Sequence, residues 1–302
     1  MNIPEKLKNA AYVSAPLDGI PQKDGFQRLD PSNIIFYERK YYAYWTRAEE
    51  KTNLYSGSIF CGTSEDGIVW TELGEVLSRS EGDGWDNFGV ITPYVVPERN
   101  GFYLFYTSSH KSEGENWEVR GEKNKRNIGV AFSEKPYLPF ARISSSPLLS
   151  PSESGWDSYL VDDTHIMKSG GKYYLYYKGG DKEVTPSTTR WGLAVSDTVC
   201  GPYKKYEDNP VTDSGHTVCI IRYGRGLIAL FDNAGPCRHS IGYSENGICF
   251  EHVKNLGHVD TGCGAFDKAA FDCIPSEPDL VWGLTAEIEC EIPYLKRFEL
   301  HF

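Results

Sequence analysis

The chain has no long apolar run. None of its stretches could cross a bilayer, and the N-terminus, Met1-Asn2-Ile3-Pro4-Glu5-Lys6-Leu7-Lys8, carries no apolar signal core, so a cytoplasmic protein without a membrane partner is expected. Positive charge is also short. Lys and Arg number 31 against 42 Asp and Glu, a net charge of −11, which makes a nucleic-acid backbone a poor partner. The eight cysteines (Cys61, Cys200, Cys219, Cys237, Cys249, Cys263, Cys273 and Cys290) show neither CxxC nor metal-finger spacing. They read as small free thiols inside strands rather than as a disulfide framework, and nothing supports a zinc-based mechanism. No segment has a convincing amphipathic helical period, so an all-β protein is expected.

What is abundant is aromatic. With 20 Tyr, 14 Phe and 7 Trp the chain suits sheet packing, and also stacking on sugar rings. The stretch from Val161 to Gly180 organises the rest: Ile166-Met167, a Ser169-Gly170-Gly171 turn, then Lys172-Tyr173-Tyr174-Leu175-Tyr176-Tyr177-Lys178 reads as a β-hairpin with Asp162 and Asp163 at its entrance. The pattern recurs. Laying Tyr41-Tyr42-Ala43-Tyr44-Trp45 on Tyr173 to Tyr177 without a gap puts Asp30 opposite Asp162, and laying Leu227-Ile228-Ala229-Leu230-Phe231 on the same frame puts His216 there. A further copy ending in Phe102-Tyr103-Leu104-Phe105-Tyr106 has Ile91 at that offset.

Each copy continues into a third strand closed by a small-residue turn, as in Ile128-Gly129-Val130-Ala131-Phe132-Ser133 and Trp191-Gly192-Leu193-Ala194-Val195-Ser196, and then into a fourth. A unit of about four antiparallel strands recurring every ~50 to 65 residues is a propeller blade. Five blades fit, at about 26–80, 85–150, 156–211, 215–258 and 264–302, giving one five-bladed β-propeller domain over residues 1–302 with a central funnel. Residues 1–25 read as a lead-in whose Ala11-Tyr12-Val13-Ser14 joins the last blade and closes the ring, protecting both sheet edges.

Inner strands start at the propeller axis, so Asp30 and His216 are expected to face the funnel. Asp30 alone could instead cap the turn before Pro31-Ser32, and a lone His is often a satisfied polar residue; their shared register argues for chemistry. Neighbouring strand residues point to opposite faces, so one of Asp162 and Asp163 enters the pocket: the ungapped register favours Asp162, a one-residue slip Asp163. Candidate substrate contacts are Trp45, Arg47, Trp85, Thr92, Lys178, Arg190, Trp191, Asp213, Arg238 and His239. Trp85 belongs to a Gly-Trp-Asp repeat (Gly84-Trp85-Asp86, Gly155-Trp156-Asp157) that also reads as a packed Trp with an Asp-held turn. The charged loop from His110 to Lys125 reads as a solvated insertion, with a lid or a subunit contact as the alternatives.

Asp30-Pro31-Ser32, Val161-Asp162-Asp163, the run from Lys172 to Gly179, Gly215-His216 and Gly235-Pro236 together resemble glycoside hydrolase family 117, the α-1,3-neoagarooligosaccharide hydrolases, and more distantly the five-bladed glycosidases of family 43. The resemblance spans about residues 26 to 290. It implies exo-acting, inverting hydrolysis of an oligosaccharide, with Asp30 as general base, an acid of Val161-Asp162-Asp163 as pKa modulator and orienter, and His216 as general acid. The N-terminal helical segment that builds the family 117 dimer has no counterpart here, so a homodimer is left open; the residue after Gly215-His216, often Glu in that family, is Thr217.

The chemistry is coherent on its own terms. Inversion needs a proton donor to the leaving oxygen and a carboxylate across a water-sized gap, usually ~6.5 to 9.5 Å, and acids from different blades supply such a gap. A carboxylate beside the histidine, Asp162 or Asp213, would favour its imidazolium. No cofactor is required; a cation bridging the inner strands is compatible with the acids, and the metal is unnamed. Three readings stand: cleavage of an α-linked terminal sugar such as 3,6-anhydro-L-galactose, a family 43-like glycosidase on another glycan such as an arabinofuranoside, and a non-catalytic carbohydrate-binding propeller.

Overall fold

The computed structural model describes residues 2–50, 52–109, 125–272 and 276–302. Strand β1 (Ala11–Pro16) is followed by blade one, made of β2 (Phe26–Leu29), β3 (Ile35–Tyr37), β4 (Lys40–Glu49), β5 (Ser58–Ser64) and β6 (Thr71–Leu77). Blade two is β7 (Gly89–Glu98), β8 (Gly101–Ser109), β9 (Asn127–Ser133) and β10 (Ala141–Arg142); blade three is β11 (Leu160–Ser169), β12 (Lys172–Gly180), β13 (Arg190–Ser196) and β14 (Lys204–Lys205). Blade four is β15 (Ile220–Tyr223), β16 (Gly226–Phe231), β17 (Ser240–Ser244) and β18 (Glu251–Asn255). Blade five has β19 (Thr261–Ala265), β20 (Leu280–Glu287) and β21 (Tyr294–His301), and β1 pairs antiparallel with β21 as its outermost strand. This is the five-bladed β-propeller expected. Blade five starts at Thr261, slightly ahead of the boundary read at 264, because its inner strand carries no aromatic run to mark it.

The hairpin turns follow from local chemistry. Ser169 pairs with Lys172 across Gly170 and Gly171, both at positive φ (56° and 77°), the mirror-image two-residue turn that glycine adopts without steric cost. Aromatic and β-branched residues of the second and third strands then fill the seams between blades. Five buried clusters, one per seam, run around the ring; that between blades three and four holds Met167, Tyr176, Trp191, Leu193, Ile220, Ala229 and Phe231, and that between blades five and one holds Trp45, Trp70, Leu284 and Leu295. A blade therefore buries its faces only against its neighbours.

The Gly-Trp-Asp repeat is a packing device in both blades. Trp85 stacks on Tyr106 with centroids 5.9 Å apart, and the Tyr106 hydroxyl donates to Asp86 at 2.9 Å, while Arg142 Nε donates to the same carboxylate at 2.7 Å. Trp156, Tyr177, Asp157 and Lys205 repeat the arrangement. The cysteines among the described residues are all free, with Cys61, Cys219 and Cys263 buried. No described helix is long and apolar enough to cross a membrane.

Candidate active site

The inner strands of blades one, two, three and five break register as they pass the axis. Two residues of β7 lie between the pairs Ile91–Thr107 and Tyr94–Phe105, and two of β11 between Asp162–Lys178 and His165–Tyr176, which is a β-bulge in each. At the first bulged residue the backbone turns left-handed: φ is 49° at Asp30, 48° at Thr92, 50° at Asp163 and 71° at Gly262. Four blades thus present the same kink to the axis. Gly262 also packs tightly on blade one, where a Cβ would sit 3.3 Å from Asp30 Cα.

The kinks line a cavity of about 230 Å³ at the starts of the inner strands of all five blades, among them Asp30, Thr92, Asp162, Asp163, His216, Thr217 and Thr261, with Lys178 and Arg126 on its wall. Its rim is the loop between β12 and β13 (Val184, Thr185, Pro186, Thr189) together with Ile288. Further along the axis a void of about 30 Å³ has room for a water. His165 lines it, accepting the Ile220 N–H on Nδ1 at 3.4 Å, and burial pushes its pKa down to about 3, so the ring is neutral.

The two adjacent aspartates differ. Asp162 is fully buried and accepts from Thr107 Oγ1 (2.7 Å), Arg126 (2.5 Å) and the Asp163 N–H (2.8 Å), with Lys178 Nζ at 3.2 Å. Burial alone would raise its pKa, but Lys178 and Arg126 overcome this and hold it well below the usual carboxylate range. Asp163 shares the left-handed kink with Asp30 and meets Lys178 Nζ at 2.5 Å. Burial raises its pKa, Lys178 opposes this, and Asp162 adds to it. Asp30 is likewise raised, by burial first and then by Asp163, against Lys178. Asp30 and Asp163 therefore form the part of the cluster that readily takes up a proton, and Asp162 is their fixed anion.

His216 comes from the segment before β15, where Gly215 at φ 128° packs so closely on Trp191 that a Cβ would lie 2.1 Å from Nε1. Its Nδ1 lies 3.2 Å from Asp232 Oδ2, which also accepts from Thr217 Oγ1 at 2.9 Å. The carboxylate beside the histidine is thus Asp232, not Asp162 or Asp213. Asp213 is exposed and outside the cavity lining.

Of the expected substrate contacts, Thr92 and Lys178 line the cavity. The others do not. Trp45 is fully buried with its Nε1 donating to Glu72, and Trp191 is fully buried against Phe231, because aromatics of the second and third strands fill seams. Arg47 bonds Glu72 at 2.6 Å between the rings of Phe26 and Phe60, and Trp85 is held on Tyr106. Arg190 and Arg238 are exposed outside the lining, and His239 accepts the Val259 N–H and stacks on His258. Residues 110–124 of the charged loop lie outside the described residues. Arg126, Tyr55, Thr107 and Asp232 were not anticipated; Asp232 follows Phe231 as Lys178 follows Tyr177, a positional cue that the strand repeat contains. No group of three or more His, Cys, Asp or Glu among the described residues is arranged to hold a metal ion.

No family profile matches the chain. A stretch of 106 residues is 33% identical to the beta-1,2-mannobiose phosphorylase of Thermoanaerobacter sp. (strain X514), covering 34% of this chain and 34% of that protein, so the match spans about a third of the curated relative. Among solved structures, Zg3597, a family 117 glycoside hydrolase produced by the marine bacterium Zobellia galactanivorans, superposes with a TM-score of 0.83 at 24% identity over 97% of this chain and 90% of its own. CoXyl43, a GH43 beta-xylosidase/alpha-arabinofuranosidase from a compost microbial metagenome, superposes with a TM-score of 0.61 at 15% identity, covering 94% of each chain. Fructan 1-exohydrolase IIa from Cichorium intybus gives 0.62 at 14% identity over 91% of this chain and 57% of its own. The fold is that of the five-bladed propeller glycoside hydrolases. Among those folds the chain superposes well on that of the family 117 structure.

Proposed function

We propose that the protein is a glycoside hydrolase that acts from the end of an oligosaccharide, with inversion, on an α-linked terminal sugar, 3,6-anhydro-L-galactose being the first candidate from the family resemblance. The observation that carries this reading is the convergence of Asp30, Asp163 and His216, from three blades, on one cavity. Asp30 is the general base that activates water, and His216 the general acid that protonates the leaving oxygen. Burial first, and the neighbouring Asp163 after it, raise the pKa of that base towards the working pH. A buried set of ionisable groups with opposed shifts favours an enzyme over a passive binding module.

Water suits this site better as acceptor than phosphate does. A phosphorylase must hold an inorganic dianion, and the two cations on the cavity wall, Arg126 and Lys178, are already bonded to Asp162 and Asp163. A family 43-like activity with a glutamate as acid is less well supported, because no Glu lines the cavity among the described residues. The test is incubation with neoagaro-, carrageenan-derived, arabino- and xylo-oligosaccharides, and with β-1,2-mannobiose plus phosphate, with His216→Ala alongside. Release of a monosaccharide that disappears in the variant is expected. Release of a sugar phosphate, or equal release by the variant, would overturn the reading.

A further inference from the structure

We propose that Thr107, a buried residue of β8 outside the cavity lining, is the positioning residue that sets the geometry of the Asp162–Asp163 pair; the proposal rests on the acid–base reading above. Its place in the blade is informative. Thr46, Thr107, Lys178 and Asp232 each follow the aromatic that ends the central run of a second strand (Trp45, Tyr106, Tyr177, Phe231); the first three bond to a residue of the inner-strand kinks, and Asp232 bonds His216. Thr46 Oγ1 accepts the Thr92 N–H at 3.0 Å, Lys178 pairs with Asp163, and Asp232 pairs with His216. Thr107 is the member that reaches from blade two into blade three.

A hydroxyl has one proton and two acceptor sites, and Thr107 uses all three. Thr92 Oγ1 donates to it at 2.5 Å, the Asp163 N–H reaches it at 3.2 Å as the longer arm of a bond shared with Asp162 Oδ1 at 2.8 Å, and its own proton goes to Asp162 Oδ1 at 2.7 Å. The hydroxyl proton thus points to Asp162, the carboxylate that Lys178 and Arg126 also bond. Thr107 also ties down two left-handed residues, Thr92 and Asp163, a backbone state that is unfavourable away from glycine and persists only when neighbours enforce it. Thr92 is β-branched, which makes that state least favourable.

Thr107→Val keeps the shape and deletes the hydroxyl. If Thr107 positions the pair, kcat should fall by about 10²-fold, the size expected for a small displacement of reacting groups, with KM within about 2-fold. Thr107→Ser, which restores the hydroxyl, should return kcat to within about 3-fold of wild type. A role confined to packing would leave kcat per folded molecule unchanged in Thr107→Val, and that result, or a serine variant as impaired as the valine one, overturns the proposal. Thr107→Ala replaces valine if the latter does not fold. Asp30→Asn is measured in parallel: turnover retained there overturns the acid–base reading and this inference with it, whereas an inactive Asp30→Asn beside a fully active Thr107→Val overturns this inference alone.

Discussion

His216 Nδ1 and Asp232 Oδ2 are 3.2 Å apart, and the aspartate comes from the end of the second strand of the histidine's own blade. The contact turns the other ring nitrogen, Nε2, away from Asp232, so among the described residues the imidazole has one anchored and one unanchored nitrogen. Asp232 is almost fully buried, and Thr217 donates to the same oxygen, so the carboxylate is held in place rather than shared with solvent.

Asp232→Asn should therefore lower kcat by about 10²-fold, and His216→Ala by about 10² to 10⁴-fold, the range of a general acid. Both losses should shrink on an aryl glycoside whose leaving group needs no proton. Steady-state kinetics on natural and nitrophenyl substrates checks this. Equal losses on both would show that the pair acts in binding and not in proton donation.

Asp30→Asn should abolish turnover yet keep the fold, because asparagine tolerates the left-handed φ of 49° better than other non-glycine residues. It should also be more heat-stable than wild type at neutral pH. The sign follows from the raised pKa of Asp30: between the ordinary carboxyl value and the raised one, the folded chain binds more protons than the unfolded chain. Stability of the wild type then falls as pH rises through that window, and the neutral amide escapes the loss. Melting curves at pH 4 and pH 8 should show no gain at the lower pH and a gain at the higher.

Lys178 lowers the pKa of both Asp30 and Asp163 against burial. Lys178→Met should move the acid limb of the pH–rate profile to higher pH, since the base then keeps its proton longer. The variant should lose about 3–5 kcal/mol of stability, as expected when one partner of a buried ion pair is removed. An acid limb at the wild-type pH would mean that neither aspartate is the base.

The blades were legible because the aromatic second strand and the small-residue third strand recur with their turns. The register of the acids was legible only to within one residue. Leu29 pairs with Thr46 and Ile35 with Tyr42, so six steps of chain in blade one pass four on its neighbour, whereas in blade three three steps pass two. An ungapped overlay of the aromatic runs therefore aligns Asp30 with Asp162, while the kink aligns it with Asp163. Trp45 and Trp191 were misassigned for a different reason: strand alternation shows that a side chain leaves the sheet, not whether it meets a seam or the funnel. Arg126 and Thr107 act across a blade boundary, which no within-blade pattern reveals.

The most direct test of the central claim is the anomeric form of the sugar first released from a cleavable oligosaccharide, followed by proton NMR in phosphate buffer made with ¹⁸O-water, with the label read by mass spectrometry. Asp30 as base and His216 as acid predict a product of inverted configuration carrying ¹⁸O at the anomeric carbon, with none formed by Asp30→Asn. A product of retained configuration, or a sugar 1-phosphate, would contradict the account.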